Sequence, residues 1–131
     1  MFMRLGFCFI VISAWWTLGI VPAAADSAAN GPRGQWLRAD GVARVNVASC
    51  GPALCMTNVW IRPGVNEEKV GEYIRLDVKP KGPGRWTGTG YDPQRKLEFS
   101  TDIEVAGDTM TTGGCVGGGL ICKSTRWTRV P

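Results

Sequence analysis

From Gly34 onward the chain alternates apolar and polar side chains with a period of two, broken at short intervals by turn residues. The clearest run places Leu97, Phe99, Thr101, Ile103 and Val105 on one face and Glu98, Ser100, Asp102 and Glu104 on the other. Ala43, Val45 and Val47 alternate with Arg44 and Asn46, and Ile74, Leu76 and Val78 with Tyr73, Arg75 and Asp77. Residues 34–38 begin a first strand, which Asp40-Gly41 turns back as a hairpin. A strand over 54–61 follows the Cys50-Gly51-Pro52-Ala53 corner, and another over 86–91 is turned by Asp92-Pro93. Gly107-Asp108 turns the chain again, and strands over 109–116 and 121–130 flank Gly117-Gly118-Gly119. Residues 79–84 are expected to be a turn, because Pro80 and Pro83 cannot donate to a ladder. Residues 63–70 are the one place where a helical turn fits, and Glu67, Glu68, Lys69 and Glu72 mark it as a polar surface connection.

The pattern predicts an all-β chain of about eight strands, and such regular spacing favours an antiparallel barrel or sandwich. Closure as a small up-and-down β-barrel removes the exposed edges that an open sheet would carry. A barrel of this size is either filled by side chains or holds one small ligand.

The first 25 residues are of a different kind. Arg4 precedes an apolar run from Leu5 to Val21, and Pro22-Ala23-Ala24-Ala25 offers a small-residue cleavage site before Asp26. That is the layout of a secretory signal peptide over residues 1–25, which predicts a periplasmic or secreted protein. The alternative, an uncleaved anchor, wants about 20 uninterrupted apolar residues, and Ser13 and Thr17 interrupt this run. Residues 26–33 then form a flexible lead-in and 34–131 a single barrel domain. After cleavage no stable membrane insertion is expected.

Cleavage also changes the cysteine arithmetic. Of five cysteines, Cys8 leaves with the leader, and bulky Phe7 argues against its lipidation. Cys50, Cys55, Cys115 and Cys122 remain, an even set that suggests two disulfides in an oxidising compartment. Three pairings are open. Local pairs, Cys50–Cys55 and Cys115–Cys122, contribute about 2 kcal/mol each, whereas a crossed pair closing a long loop contributes roughly 4 kcal/mol in the chain-entropy model. Geometry favours the local pairs, since each brackets a tight glycine-containing turn. A redox role fits poorly, because four residues separate Cys50 from Cys55 at a strand corner rather than two at a helix start. Zinc binding would need reduced thiolates and closer spacing, so no metal and no cofactor are expected.

The formal net charge is +4, with basic residues scattered from Arg33 to Arg129. That dispersal argues against a nucleic-acid or acidic-lipid surface. The chain has no histidine, which excludes Ser-His-Asp and Cys-His catalysis. Carboxylates survive that exclusion, but Glu98 and Asp102 lie about 13 Å apart at strand rise, beyond the 5–10 Å or so of glycosidase pairs. Only neighbours such as Asp102 and Glu104 come close enough, and their face opposes the apolar one. The glycines of residues 113–119 are hairpin or bulge positions, since Lys123 follows Cys122 in a strand and not a glycine before a helix.

The two ends of the barrel domain suggest how it closes. Trp36 lies on the first strand, and Arg126, Trp127 and Arg129 lie on the last. In a closed barrel these strands are neighbours, and an arginine over the Trp36 ring contributes about 0.5–2 kcal/mol. The device resembles the closure of lipocalin-like barrels, where a Gly-x-Trp strand meets a C-terminal arginine.

A longer pattern is more specific: Gly34-x-Trp36; Ala43-Arg44-Val45 leading to Cys50-Gly51-Pro52-Ala53-Leu54-Cys55; Trp86-x-Gly88; Tyr91-Asp92-Pro93; Gly114-Cys115-Val116-Gly117; and Trp127-Thr128-Arg129-Val130. In this order it resembles the exported bacterial family catalogued as domain of unknown function 2147, over nearly all of residues 34–131. The resemblance implies a lipocalin-like barrel in a Gram-negative periplasm and implies no activity. The chain departs from the pattern after Trp60, where an Asn-Pro-Asp-Pro run is missing and only Asn66 hints at it. It departs again at Met56-Thr57, where a glycine and a basic residue are usual.

The leading functional expectation is a binding module for a small apolar or amphipathic ligand, or an envelope component, taken at one barrel mouth. Trp60, Tyr73, Trp86 and Tyr91 are its candidate ligand-binding residues, with Arg75 as an anion partner. The tryptophans Trp36, Trp60, Trp86 and Trp127 either fill the barrel or line such a cavity. A structural or protein-interaction domain with a filled core is the second reading, and a carboxylate or tyrosine enzyme the third. An interior pocket above about 300 Å³ separates the first two, since without one the ligand-carrier reading fails and a surface partner becomes preferable.

Overall fold

The computed structural model describes residues 31–131. The expected leader over 1–25 and the first part of the lead-in lie outside the described residues. Eight strands follow in chain order: β1 Gly34–Arg38, β2 Ala43–Cys50, β3 Ala53–Ile61, β4 Tyr73–Gly82, β5 Arg85–Asp92, β6 Leu97–Ala106, β7 Thr109–Val116 and β8 Ile121–Arg129. Each pairs antiparallel with the next and β8 returns to β1, so the sheet is a closed up-and-down barrel in which every strand has a partner on both sides over part of its length.

Strand parity decides what lies inside. Trp36, Val45, Val47, Leu54, Met56, Leu76, Ile103, Met110 and Trp127 form one buried cluster, and Ile74, Val78, Trp86, Phe99 and Val105 pack against it. Phe99 needs two glycines to fit. It lies in register with Gly90, where a Cβ would run into its ring, and a Cβ on Gly114 would come within 3.2 Å of it. At the β2–β3 corner Gly51 takes the positive φ of 64° that a tight two-residue hairpin requires.

The closing seam is short. It consists of Trp36↔Arg129, Leu37↔Thr128 and Arg38↔Trp127. Side chains reinforce it: the Arg129 guanidinium lies 4.2 Å from the centroid of the Trp36 ring. Arg129 Nη1 and Nη2 also donate to the carbonyls of Arg33 and Gly31, at 3.0 and 3.2 Å. Arg126 instead pairs in register with Thr111 and stays exposed, its backbone carbonyl accepting from the Ala39 amide at 2.9 Å. Trp127 points inward and donates from Nε1 to Thr112 Oγ1 at 3.0 Å.

Two expectations need correction. Residues 31–33 are not a loose tail: Pro32 is fully buried, and its carbonyl accepts from Trp36 Nε1 at 2.9 Å. Gly31 lies so close to the Trp86 ring that a Cβ there would approach it to 2.8 Å. This segment plugs one end of the barrel, an outcome that composition alone does not reveal. Residues 79–82 are also not turn but the end of β4, with Pro80 in register with Trp86 and a bulge before Gly82. β3 pairs with β4 only as far as Leu76, so beyond it β4 has a free flank on which a missing N–H costs no ladder bond. The Cys50–Cys55 and Cys115–Cys122 disulfides are both present.

Candidate functional site

The plug makes the two ends unequal. The end carrying residues 31–33 is sealed over Trp36 and Trp86. The other end is bounded by the β1–β2, β3–β4, β5–β6 and β7–β8 connections and stays open. Beneath this mouth lies a compartment of about 220 Å³ lined mainly by Met56, Ile74, Leu76, Phe99, Thr112 and Trp127. The glycines that admit the Phe99 ring also shape this space, since Gly114 contributes only backbone to its wall. Above the compartment a vestibule of about 810 Å³ opens to solvent between Arg38, Glu68, Asp92, Arg95 and Lys123.

The rim is charged and cross-linked. Arg38, two residues beyond Trp36 and of the same inward parity, meets Glu68 through two hydrogen bonds of 2.8 Å each. Its Nε is held by Asp40 at 3.0 Å. This paired geometry ties the β3–β4 connection down across the mouth. Asn58 adds a hydrogen bond to the Lys69 carbonyl at 3.3 Å, and Arg95 reaches the Glu67 carbonyl at 3.4 Å. On the far side Asp92 accepts from Arg95 at 2.8 Å, and Gln94 bridges to both backbone groups of Tyr73.

These contacts move the carboxyls. The Arg38 hydrogen bonds hold Glu68 below the usual carboxylate range against the opposing effect of burial. For Asp92 burial pushes upward, but the Arg95 side chain and the Gln94 and Arg95 contacts outweigh it and the value falls. Asp40 is lowered in the same way by Arg38 and the Val42 amide. Arg38 is raised, chiefly by Glu68.

A carboxyl depressed in the folded state adds stability above its ordinary value and loses it as pH falls through the depressed one. The mouth is therefore expected to loosen in acid, below about pH 4, the ordinary carboxylate range. Substituting Glu68→Gln should cost about 1 kcal/mol at pH 7 and flatten the acid limb of a melting-temperature profile. Parallel profiles for the two proteins would show that Glu68 does not hold the loop.

A family model described as "Uncharacterized protein conserved in bacteria (DUF2147)" matches residues 34–129, the span from the start of β1 to the end of β8. The chain belongs to this family. Its DUF2147 barrel is also similar to a solved structure described as a redesigned beta barrel. That match has a TM-score of 0.51 and 15% identity, and covers 79% of this chain and 96% of the other. At that identity the likeness concerns the fold. No curated protein matches the chain.

Within this DUF2147 member the five ligand-binding candidates from the sequence do not converge. Tyr73 lines the rim of the mouth, at a cleft of about 160 Å³ shared with Arg38, Glu72 and Gln94. Trp86 points inward but sits at the sealed end beneath Gly31. Arg75 and Tyr91 are register partners on the outer surface, both exposed, with Arg75 paired to Asp77 at 3.3 Å. Trp60 is also outside, 39% exposed and opposite Arg44. For Arg75 the reason is parity, since Leu76 on the same strand is buried. Trp60, which plain alternation from Leu54 and Met56 would place inside, is turned out by the bulge between its pairing with Arg44 and that of Asn58 with Val45. Trp36 and Trp127 fill the core. Asp102 and Glu104 are exposed on the outer face, where Arg85 approaches Glu104 at 3.8 Å.

The same parity rule identifies mouth residues that the choice of aromatic candidates leaves out. Arg38 is two positions from Trp36, Asp92 two from buried Gly90, and Lys123 four from Trp127. Each is a charge placed on an inward position of an otherwise apolar or small-residue face. The polar run around Glu68 predicts only a surface connection, and nothing in its local sequence signals the Arg38 contact across 30 residues. Among the described residues there is no cluster of three or more His, Cys, Asp or Glu side chains suited to a metal ion. No helix among them is long and apolar enough to cross a membrane.

Proposed function

We propose that this protein is an exported binding module that holds a small amphipathic ligand, or part of an envelope component, in the open mouth of its barrel. The observation that carries the reading is the apolar compartment of about 220 Å³ set between a filled core and a polar vestibule. Pockets for drug-sized ligands run from about 300 to 1,000 Å³. The compartment alone falls short of that range, which rules out a carrier that encloses its ligand inside the barrel; an occupant buries one short apolar part and leaves the rest in the vestibule. The signal-peptide pattern of residues 1–25 and the pairing of all four remaining cysteines support export to an oxidising compartment.

Native mass spectrometry of the protein purified from a Gram-negative periplasm tests this directly. A mass above that of the oxidised polypeptide is expected, and extraction with organic solvent should remove it. Ile74→Trp, which fills the compartment from its rim, should abolish that added mass and weaken binding of the anionic amphipathic dye 1-anilinonaphthalene-8-sulfonate by tenfold or more. A bare polypeptide mass together with no dye binding would overturn the reading. The interaction-domain alternative would then gain weight from the exposed Leu120 and Ile121 at the β7–β8 tip and from the outer pair Arg75 and Tyr91.

A further inference from the structure

We infer that the occupant of the mouth is an anionic amphiphile, a single apolar chain ending in a carboxylate or phosphate, and that Lys123 binds its headgroup. The inference rests on the ligand-binding reading above and adds the chemical class. Lys123 lies on β8 with the inward parity of Thr125 and Trp127, and its register partner is Gly114, which has no side chain to cover it. Among the described residues it is the sole charged one lining the apolar compartment, and it lines the vestibule as well. Its position is therefore the boundary between the two spaces.

Of the other cations lining the vestibule, Arg38 is engaged by Glu68 and Asp40 and Arg95 by Asp92, while Arg126 has the outward parity of its register partner Thr111 and does not reach the apolar compartment. Lys123 makes no ion pair among the described residues. Of the vestibule carboxylates, Asp40, Glu68 and Asp92 are each held by an arginine, and Glu67 makes no ion pair with Lys123. Its charge nevertheless acts at the mouth, as one of the influences that lower Glu68. An ammonium with three donors on a flexible apolar stem can lie along the apolar wall and place its head at the boundary. Lys123 is exposed, so water solvates its head in the free protein. An anion seated at the boundary replaces that water with a charge-assisted hydrogen bond, which a neutral ligand cannot offer.

Titration of the oxidised protein with octanoate, octyl phosphate and octan-1-ol, followed through the Trp127 indole N–H and the Met56 methyl by NMR, tests the assignment. Both anions should bind about tenfold or more tightly than the alcohol, the size of one charge-assisted hydrogen bond. Lys123→Met should erase that advantage, with a far-ultraviolet circular dichroism spectrum like the parent's showing that the variant is folded. Lys123→Arg should keep it. A preference for one anion over the other would tell carboxylate from phosphate headgroups and supports the assignment either way. Equal binding of alcohol and anions, or anion binding unaffected by Lys123→Met, overturns the headgroup assignment and leaves the cavity reading standing. If none of the three binds, the cavity reading fails and this inference fails with it.

Discussion

Trp36→Ala is expected to destabilise the barrel by about 3–5 kcal/mol, the usual cost of truncating a buried tryptophan. Three losses coincide at this position. The side chain is fully buried, so its removal leaves a cavity in the core. The Pro32 carbonyl loses its donor, which unseats the plug. Arg129 loses the ring beneath it, on a seam of only three register pairs. Against a total stability of about 5–15 kcal/mol for a domain, such a loss places the variant near its unfolding limit at ambient temperature. Urea unfolding measures the cost. Arg129→Met separates the contributions, since it keeps the ring and removes the cation, and should cost about 1–2 kcal/mol. A loss below about 1 kcal/mol for Trp36→Ala would be incompatible with the buried cavity that truncation leaves.

Removal of both disulfides is the second large effect. Each closes a short loop and contributes about 2 kcal/mol in the chain-entropy model, so the pair Cys50→Ser/Cys55→Ser together with Cys115→Ser/Cys122→Ser should cost about twice that. The two bonds differ in geometry. Cys115 and Cys122 are directly opposed in register, with Cα atoms 4.1 Å apart, and hold the hairpin that projects Leu120 and Ile121 beyond the barrel. Cys50 and Cys55 are diagonal across the β2–β3 corner, where Cys50 pairs with Ala53 and Cys55 with Ala48. The losses should add, because the bonds lie on different hairpins. Unfolding in urea of the two double variants and the quadruple variant measures this. A quadruple variant as stable as the parent would show that the ladders alone hold both hairpins.

Most of the architecture is legible along the chain because a half-buried strand repeats every two residues. The alternation at 97–105 matches β6, in which Thr101 and Ile103 are buried and Asp102 and Glu104 exposed. The proline-marked stretch 79–84 was misleading, because whether a proline costs a ladder bond depends on which flank has a partner. The ligand candidates misled for a related reason. Aromatic residues were chosen for their chemistry, although the parity that placed Leu76 inside had already placed Tyr73, Arg75 and Asp77 on the opposite face. Applied to charged residues, that parity points to Arg38 and Lys123.

The amino-acid sequence by itself determined the all-β class, the number of strands, the family and the inward identity of most core positions. These follow from local periodicity and from residue types at fixed spacing, which need no knowledge of distant partners. Only the tertiary structure decided that residues 31–33 seal one end, that Glu68 crosses the other to reach Arg38, and that Phe99 occupies the room left by Gly90 and Gly114. Each of these contacts joins segments far apart in the chain, and their positions are set by how the barrel closes rather than by any local preference of the backbone.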